Sequence, residues 1–415
     1  MMPTVSDKTG DGLAAYRLRE RALYALRDAL AADSWDDFCA LLARCDLPEA
    51  RVRQMAAPPV PMDLHLHSTY SDGQVPPRKL AWLARILGLR TIGLTDHDSV
   101  TGTREVYSEA MLLGVSALPG VELSTDRAGL EILVYFPDAG AFFDFLTTPA
   151  GRRFAKYLAR KQDAVHEATL KVVGSVNRWL KKQGIPTDRA VTEAELDAWF
   201  GGQTPYYPGT VAVLGLARLD EARRKRLGIR DPRTFNTKVV TPALKRLGAA
   251  AGARIGLAEA TQDVRRQIAA LRKADLPAVV ILSHPKELVT KGRMTLGQVA
   301  ETVRYLAEKA TLDGVEVGCS RDDASDVRVW NEMIEETSAD IAAGRIDAPG
   351  PLLVASYSSD FHVLAPGRAT GEITLGFGLL DERPGHQCGN LRPQTPADEL
   401  LEAMRQRAAV RARRA

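Results

Sequence analysis

Five of the seven histidines of this 415-residue chain fall in four short stretches, each placed where a short strand would end. These are Asp63-Leu64-His65-Leu66-His67, Asp96-His97-Asp98, Ser283-His284-Pro285 and Asp360-Phe361-His362. In a strand, side chains two apart share a face, so His65 and His67 reach one ion together while Leu64 and Leu66 pack the other way. Neutral imidazole and ionised carboxylate are favoured ligands of zinc, manganese and iron. Carboxylates accompany the histidines: Asp72 in Ser71-Asp72-Gly73, Glu122 closing Leu118-Pro119-Gly120-Val121-Glu122, and Asp360 two positions before His362. A single such histidine is ordinarily a core or surface residue; four clusters in one chain point to a metal site. Five imidazoles and three carboxylates exceed the needs of one ion. Two or three ions about 3.5 to 4 Å apart, bridged by a carboxylate and a hydroxide, would employ them all.

The elements that must position these residues alternate. Strand patterns cover Met62 to His67, Thr91 to Thr95, Ser116 to Val121 and Leu130 to Phe136, with helical periodicity over Pro77 to Leu87 and Thr103 to Leu113. The rhythm resumes with a helix over Gln262 to Lys273, a strand over Ala278 to Ser283, a helix over Leu296 to Lys309, a strand over Val315 to Val317, a helix over Val327 to Ser338 and a strand over Leu352 to Ser356. Repeated βα units predict a parallel sheet closed into a barrel, in which chemistry sits at the C-terminal ends of the strands. Every histidine cluster falls at such an end.

Three flanking parts complete the expected organisation. Residues 13 to 57 read as helical, and Ala56-Ala57-Pro58-Pro59-Val60-Pro61 reads as a stiff linker. Residues 141 to 255 read as an inserted helical subdomain between two barrel segments, 62 to 140 and 256 to 385. The end, 386 to 415, carries one amphipathic helix and a basic tail.

Composition is that of a globular protein, 45% hydrophobic and 26% charged. No apolar run approaches the roughly 20 residues of a spanning helix, and the N-terminus lacks a signal-peptide pattern, so a cytoplasmic protein is expected. The four cysteines, Cys39, Cys45, Cys319 and Cys388, show no paired spacing, and reduced thiols are expected. Net charge is +3, yet 21 Lys and Arg face 9 Asp and Glu between Arg152 and Arg254. That stretch is a polycation.

The motif set resembles the PHP (polymerase and histidinol phosphatase) family, over roughly residues 62 to 136 and 256 to 380. The resemblance implies a distorted seven-stranded βα barrel of the TIM type, an α/β fold, carrying two or three divalent ions of manganese, zinc or iron. It implies that His65, His67, Glu122 and Asp360 hold one ion, that Asp72, His97 and His362 hold another, and that Glu122 bridges to a third position near His284. The implied chemistry is phosphoester hydrolysis by a metal-bridging hydroxide. The resemblance also implies that at least one of Asp96 and Asp98 orients an imidazole or a water from behind the ligands.

Two departures from the family pattern stand out. The histidine that usually follows the bridging Glu is missing from Leu130-Glu131-Ile132-Leu133-Val134-Tyr135-Phe136, leaving Glu131 or Cys319 as substitutes. An Arg-x-His of nucleotide-directed relatives has only Tyr207-Pro208-Gly209-Thr210 as its counterpart. Lys286, next to His284-Pro285, is the leading candidate to clamp a substrate phosphate, followed by Arg293, Arg321 and Arg368; with Glu122 and Asp360 it forms the expected catalytic set. His166 and His386 are assigned to the surface.

The expected substrates are phosphorylated small molecules or nucleic-acid ends. One competing reading is a nucleic-acid-binding protein that uses the basic insertion, with a structural barrel. Another is a histidinol-phosphate-type phosphatase, which has no need of a polycationic flank. No membrane partner is expected.

Overall fold

The computed structural model describes residues 34–44, 47–54, 62–87, 89–125, 130–200, 205–247, 262, 265–266, 276, 278–309, 311–318, 322, 324–348, 354–360, 362 and 401–406. Seven strands form one sheet in chain order: β1 (Met62–Leu66), β2 (Thr91–Leu94), β3 (Ser116–Ser124), β4 (Glu131–Tyr135), β5 (Val279–Leu282), β6 (Gly314–Gly318) and β7 (Val354–Tyr357). The sheet curls so that its outer strands β1 and β7 approach each other. Strands such as Val279-Val280-Ile281-Leu282 are buried along their whole length, as strands covered on both faces must be.

The wholly parallel barrel expected from the βα rhythm is corrected at one strand. β1, β2 and β3 run parallel, as do β5, β6 and β7, but β4 is antiparallel to both β3 and β5. The cause is the short link between Ser124 and Glu131. A parallel partner needs a crossover of a dozen or more residues, whereas a link this short turns the chain back on itself. The start of β4, not its end, therefore lies beside the C-terminal ends of its neighbours.

The N-terminal stretch is helical where it is described. Its described part is two helices, Trp35–Arg44 and Glu49–Gln54, interrupted before Pro48, whose ring disfavours helix in the residue ahead of it. Both pack on the helix Pro77–Leu87: Phe38, Leu42 and Val52 share a core with Leu80, Trp82 and Ile86, and the Trp35 and Trp82 rings meet edge-on at 5.4 Å. Residues 1–33 and the proposed linker over 56–61 lie outside the described residues, as do nearly all of Gln262 to Lys273 and all of the C-terminal segment except 401–406.

After β4 the chain enters the helices Ala139–Thr147 and Pro149–Lys182. Thr148 caps the second, its Oγ1 accepting from the Gly151 amide, with Pro149 at the first position where a missing N–H costs nothing. This 34-residue helix serves two cores. Phe154 and Leu158 pack with Phe142, Phe145 and the sheet, while Val172, Val176 and Leu180 pack with Val211, Phe235 and the rest of the insertion.

Several of the insertion's cations cap helices. Lys238 Nζ donates to the Leu227 and Gly228 carbonyls at 2.9 Å each, Arg224 to those of Leu219 and Leu216, and Arg223 to that of Gln183. Cations at helix C-termini satisfy orphan carbonyls and oppose the negative end of the dipole. Part of the polycation is thus structural. Among the described residues, no helix is long and apolar enough to cross a membrane.

Candidate metal centre

The strand ends bring all eight predicted ligands together in three groups that share members. In the first, the Nε2 atoms of His65 and His67 lie 3.0 Å apart. Glu122 Oε2 is 3.0 Å from the former and 3.2 Å from the latter, and Asp360 Oδ1 stands 3.5 and 3.2 Å from them. The second group joins His67 to Asp72, His97 and His362: Asp72 Oδ1 is 3.5 Å from His67 Nδ1, and Asp72 Oδ2 is 3.1 Å from His362 Nε2 and 3.8 Å from His97 Nε2. The third consists of Glu122, Glu131 and His284, whose Nε2 lies 3.1 Å from Glu122 Oε1 and 3.4 Å from Glu131 Oε2. Within each group the ligand atoms all fall within 4.8 Å of one another.

This donor set fits divalent cations. Ligands held at roughly 2.1 Å from a metal stand ~3.0 Å apart in an octahedron and ~3.4 Å in a tetrahedron, the range seen in the first group. Two buried atoms in these groups, Asp72 Oδ1 and His97 Nδ1, make no hydrogen bond, though His67 Nδ1 lies 3.5 Å from the first and Glu122 Oε2 3.2 Å from the second. Buried polar atoms are rarely left so unless something else meets them.

Glu131 is the residue that strand alternation left undecided. Its position follows from the reversal of β4, which puts the first residue of that strand at the site end, in the group with Glu122 and His284. Cys319, the other candidate, lies outside the described residues.

Charge balance in these groups is set by competition between burial and neighbours. Burial disfavours the Glu122 carboxylate, but the charges of His65 and His97 and hydrogen bonds from His284 and His65 hold it well below the usual range. Burial likewise disfavours a charged His284, yet Glu122, Glu287 and Glu131 outweigh it and raise that imidazole to about 10. Burial raises Asp98 to about 6 against the pull of Lys161 and His97.

Backbone strain concentrates here. Asp98, His284 and Asp360 are the non-glycine residues with positive φ among the described residues, at 49°, 25° and 54°. Such conformations cost of order 1–3 kcal/mol each and persist where surrounding structure enforces them. Gly73 serves the neighbouring loop differently: a Cβ there would lie 2.3 Å from the His67 carbonyl oxygen, so only glycine lets the Asp72 loop fold back on β1.

Behind the ligands stand three further carboxylates. Asp96 accepts from the Ser68 amide, the Ser68 hydroxyl and the Ser71 hydroxyl, each at 2.6 Å, and so shapes the loop after β1. Asp63 accepts from the amide and hydroxyl of Ser359, tying β1 to the chain after β7. Glu316 on β6 faces His65 and His284; no sequence motif marks it, since Gly314-Val315-Glu316-Val317-Gly318 reads as an ordinary buried strand.

The insertion is fastened to the site. Gln162 Nε2 donates to the carbonyls of Tyr70 at 2.9 Å and His97 at 3.2 Å, and Tyr207 Oη donates to the same His97 carbonyl at 3.2 Å. Lys161 bonds the Ser124 carbonyl and lies 3.5 Å from Asp98. His166 is half-buried and accepts from the Tyr206 amide at 3.2 Å.

Of the phosphate candidates, Lys286 forms an ion pair with Asp326 of the helix Ala324–Ala342, both side chains 23% exposed. Arg293 follows the helix Pro285–Thr290. Arg321, Arg368 and the surface candidate His386 lie outside the described residues.

The family profile described as the PHP domain matches residues 63–200. A 5'-3' exoribonuclease of Haemophilus influenzae is 35% identical over 124 residues, covering 30% of this chain and 41% of that protein. A 3',5'-nucleoside bisphosphate phosphatase of Chromobacterium violaceum is 38% identical over 63 residues, covering 15% and 22%. The chain thus spans about two fifths or less of the length of these curated relatives. Among solved structures, an amidohydrolase of Chromobacterium violaceum with bound sulfate aligns at a TM-score of 0.51 and 22% identity, over 83% of this chain and 96% of that one. A Bifidobacterium adolescentis protein, described by inference as a metal-dependent phosphoesterase, aligns at 0.50 and 20%, over 77% and 94%. At these identities the likeness is one of fold.

Proposed function

We propose, from the match of residues 63–200 to the PHP domain profile, that the chain is a metal-dependent hydrolase of phosphate esters, with nucleotides or nucleic-acid ends as its substrates. The observation that carries this reading is the run of three imidazole and carboxylate groups joined through His67 and Glu122. In it, His65, His67, Glu122 and Asp360 would hold one divalent ion, Asp72, His97 and His362 with His67 a second, and Glu122, Glu131 and His284 a third. Bound ions supply water of lowered pKa and offset negative charge gathering on phosphoryl oxygens.

The chain's own groups do the rest. Glu122 spans the groups with its two oxygens turned to opposite sides, Oε2 to His65, His67 and His97 and Oε1 to His284. Asp96 holds the loop that presents Asp72, and Gln162 with Tyr207 holds the backbone of His97. Lys286, with Arg293, Arg321 and Arg368, is assigned to the substrate phosphate. Residues 141–255 act as a cap over the site, between barrel segments 62–140 and 256–385. The nucleotide and nucleic-acid class is favoured because the relatives named above include an exoribonuclease and a nucleoside bisphosphate phosphatase. A purely nucleic-acid-binding role is less well supported, because Lys238, Arg223 and Arg224 are engaged at helix ends.

The test pairs elemental analysis with turnover of an aryl phosphate, a nucleoside 3',5'-bisphosphate and a 5'-phosphorylated RNA oligonucleotide, for the wild type and His67→Ala. Two or three ions per chain and activity lost in the variant are expected. One ion or none, with no turnover in added manganese, would overturn the reading.

A further inference from the structure

Glu316 is fully buried in the middle of β6, where an ionised carboxylate costs several kcal/mol unless its oxygens are met. They are met by three groups from three other parts of the sheet. Oε1 lies 3.0 Å from His65 Nδ1 on β1 and accepts the hydroxyl of Ser358 after β7. Oε2 accepts the backbone amide of His284, just past β5, at 2.6 Å.

Each of these two histidines, His65 and His284, presents its Nε2 to a ligand group. A carboxylate at Nδ1 fixes the proton of His65 on that atom and leaves Nε2 its lone pair, and Nε2 is the atom facing His67, Glu122 and Asp360. At His284 the contact is with the backbone instead. That residue sits at φ 25° and ψ 62°, a conformation its side chain does not favour, and its Nε2 faces Glu122 and Glu131. The hydrogen bond that the His284 backbone amide donates to Glu316 is a direct restraint on this strained turn. Glu122 touches the same two histidines from the opposite side, through their Nε2 atoms.

We propose that Glu316 is a positioning residue that couples the first and third ligand groups, by setting the tautomer of His65 and the backbone of His284 through one carboxylate. This rests on the metal-binding reading above. Loss of its charge weakens both groups together, although Glu316 belongs to neither. A purely structural role predicts otherwise: the variant melts earlier but binds metal as before once folded.

The experiment uses the full chain and zinc alone, with affinity read by chelator competition. Imidazole nitrogen–proton correlation spectra of the zinc-loaded protein locate the His65 proton. In the wild type that proton resides on Nδ1. Glu316→Gln is expected to bind zinc roughly 10–100-fold more weakly, the loss typical of removing a carboxylate behind a ligating imidazole, and to release the His65 proton from Nδ1. Glu316→Asp keeps the charge but withdraws it by one methylene, and is expected to fall between the two; it provides the same readings where the Gln variant does not fold. Zinc affinity within twofold of wild type in a folded variant, with the His65 proton unmoved, overturns the inference while leaving the metal site intact. A wild type that binds no zinc overturns both the inference and the reading beneath it.

Discussion

Glu122 Oε2 and His67 Nε2 stand 3.2 Å apart, and each of these two side chains belongs to two ligand groups. Glu122 joins the first group to the third, and His67 joins the first to the second. Removing a shared residue therefore damages two positions, and removing an unshared one damages a single position. His67→Ala is expected to retain at least two fewer ions than wild type after dialysis, and His362→Ala one fewer. Both are expected to lose at least roughly 100-fold in kcat/KM, the scale of removing one electrostatic contact to a transition state. Equal metal loss in the two variants would contradict the shared role of His67.

The third group differs from the others in its donors. It offers oxygen from Glu122 and Glu131 and nitrogen only from His284, and the Glu131 side chain is 27% exposed whereas that of Glu122 is fully buried. Carboxylate-rich sites suit manganese or magnesium, while imidazole suits zinc and iron. Glu131→Gln is expected to weaken the lowest-affinity manganese equivalent by about tenfold, on the scale of a lost ligand-shell carboxylate. Glu131→His is expected to shift that equivalent toward zinc. A manganese titration of both variants, followed calorimetrically, checks this; unchanged stoichiometry and affinity would remove Glu131 from the site.

Protons and metal compete for the same atoms. Without metal, the carboxylates around His284 raise its folded pKa to about 10, above the unfolded value near 6.5. The sign follows: the stabilisation this gives the metal-free chain is complete below about pH 6.5 and is lost as pH rises through about 10. Metal binding must displace the proton, so affinity should strengthen with pH across that window and proton release should accompany binding. The measurement is manganese affinity at pH 6.5, 7.5 and 8.5 in buffers of different ionisation enthalpy. Affinity that is flat or falls with pH would show that no proton leaves.

The candidate ligands were legible in the sequence as a pattern because nearly all lie next to a strand end, where period-two alternation and a polar residue after an apolar run survive in one dimension. His65 and His67 are the clearest case, with Leu64 and Leu66 turned to the core. Two things were not legible. The direction of β4 depends on the length of a link that periodicity does not register, and with it went the placement of Glu131. Glu316 was hidden because its partners are 251, 32 and 42 positions away and its own neighbours are those of any buried strand. Long-range pairing of this kind has no local pattern.

Lys286 follows His284 by two positions and is the proposed clamp for a substrate phosphate, and its ammonium is paired with Asp326. An ion pair this exposed contributes little to stability, ~0–1 kcal/mol. Two roles are therefore separable. A clamp that contacts phosphate equally in the ground and transition states raises KM when removed and leaves kcat alone. Lys286→Ala is accordingly expected to melt within about 3 °C of wild type, to raise KM for a phosphorylated substrate roughly tenfold, and to change kcat less than about threefold. Asp326→Ala removes that ion pair and is expected to move KM the other way. Steady-state kinetics of the two variants on the best substrate of the panel decide the matter. A KM unmoved by Lys286→Ala would transfer the clamp to Arg293 or to a cation of the cap.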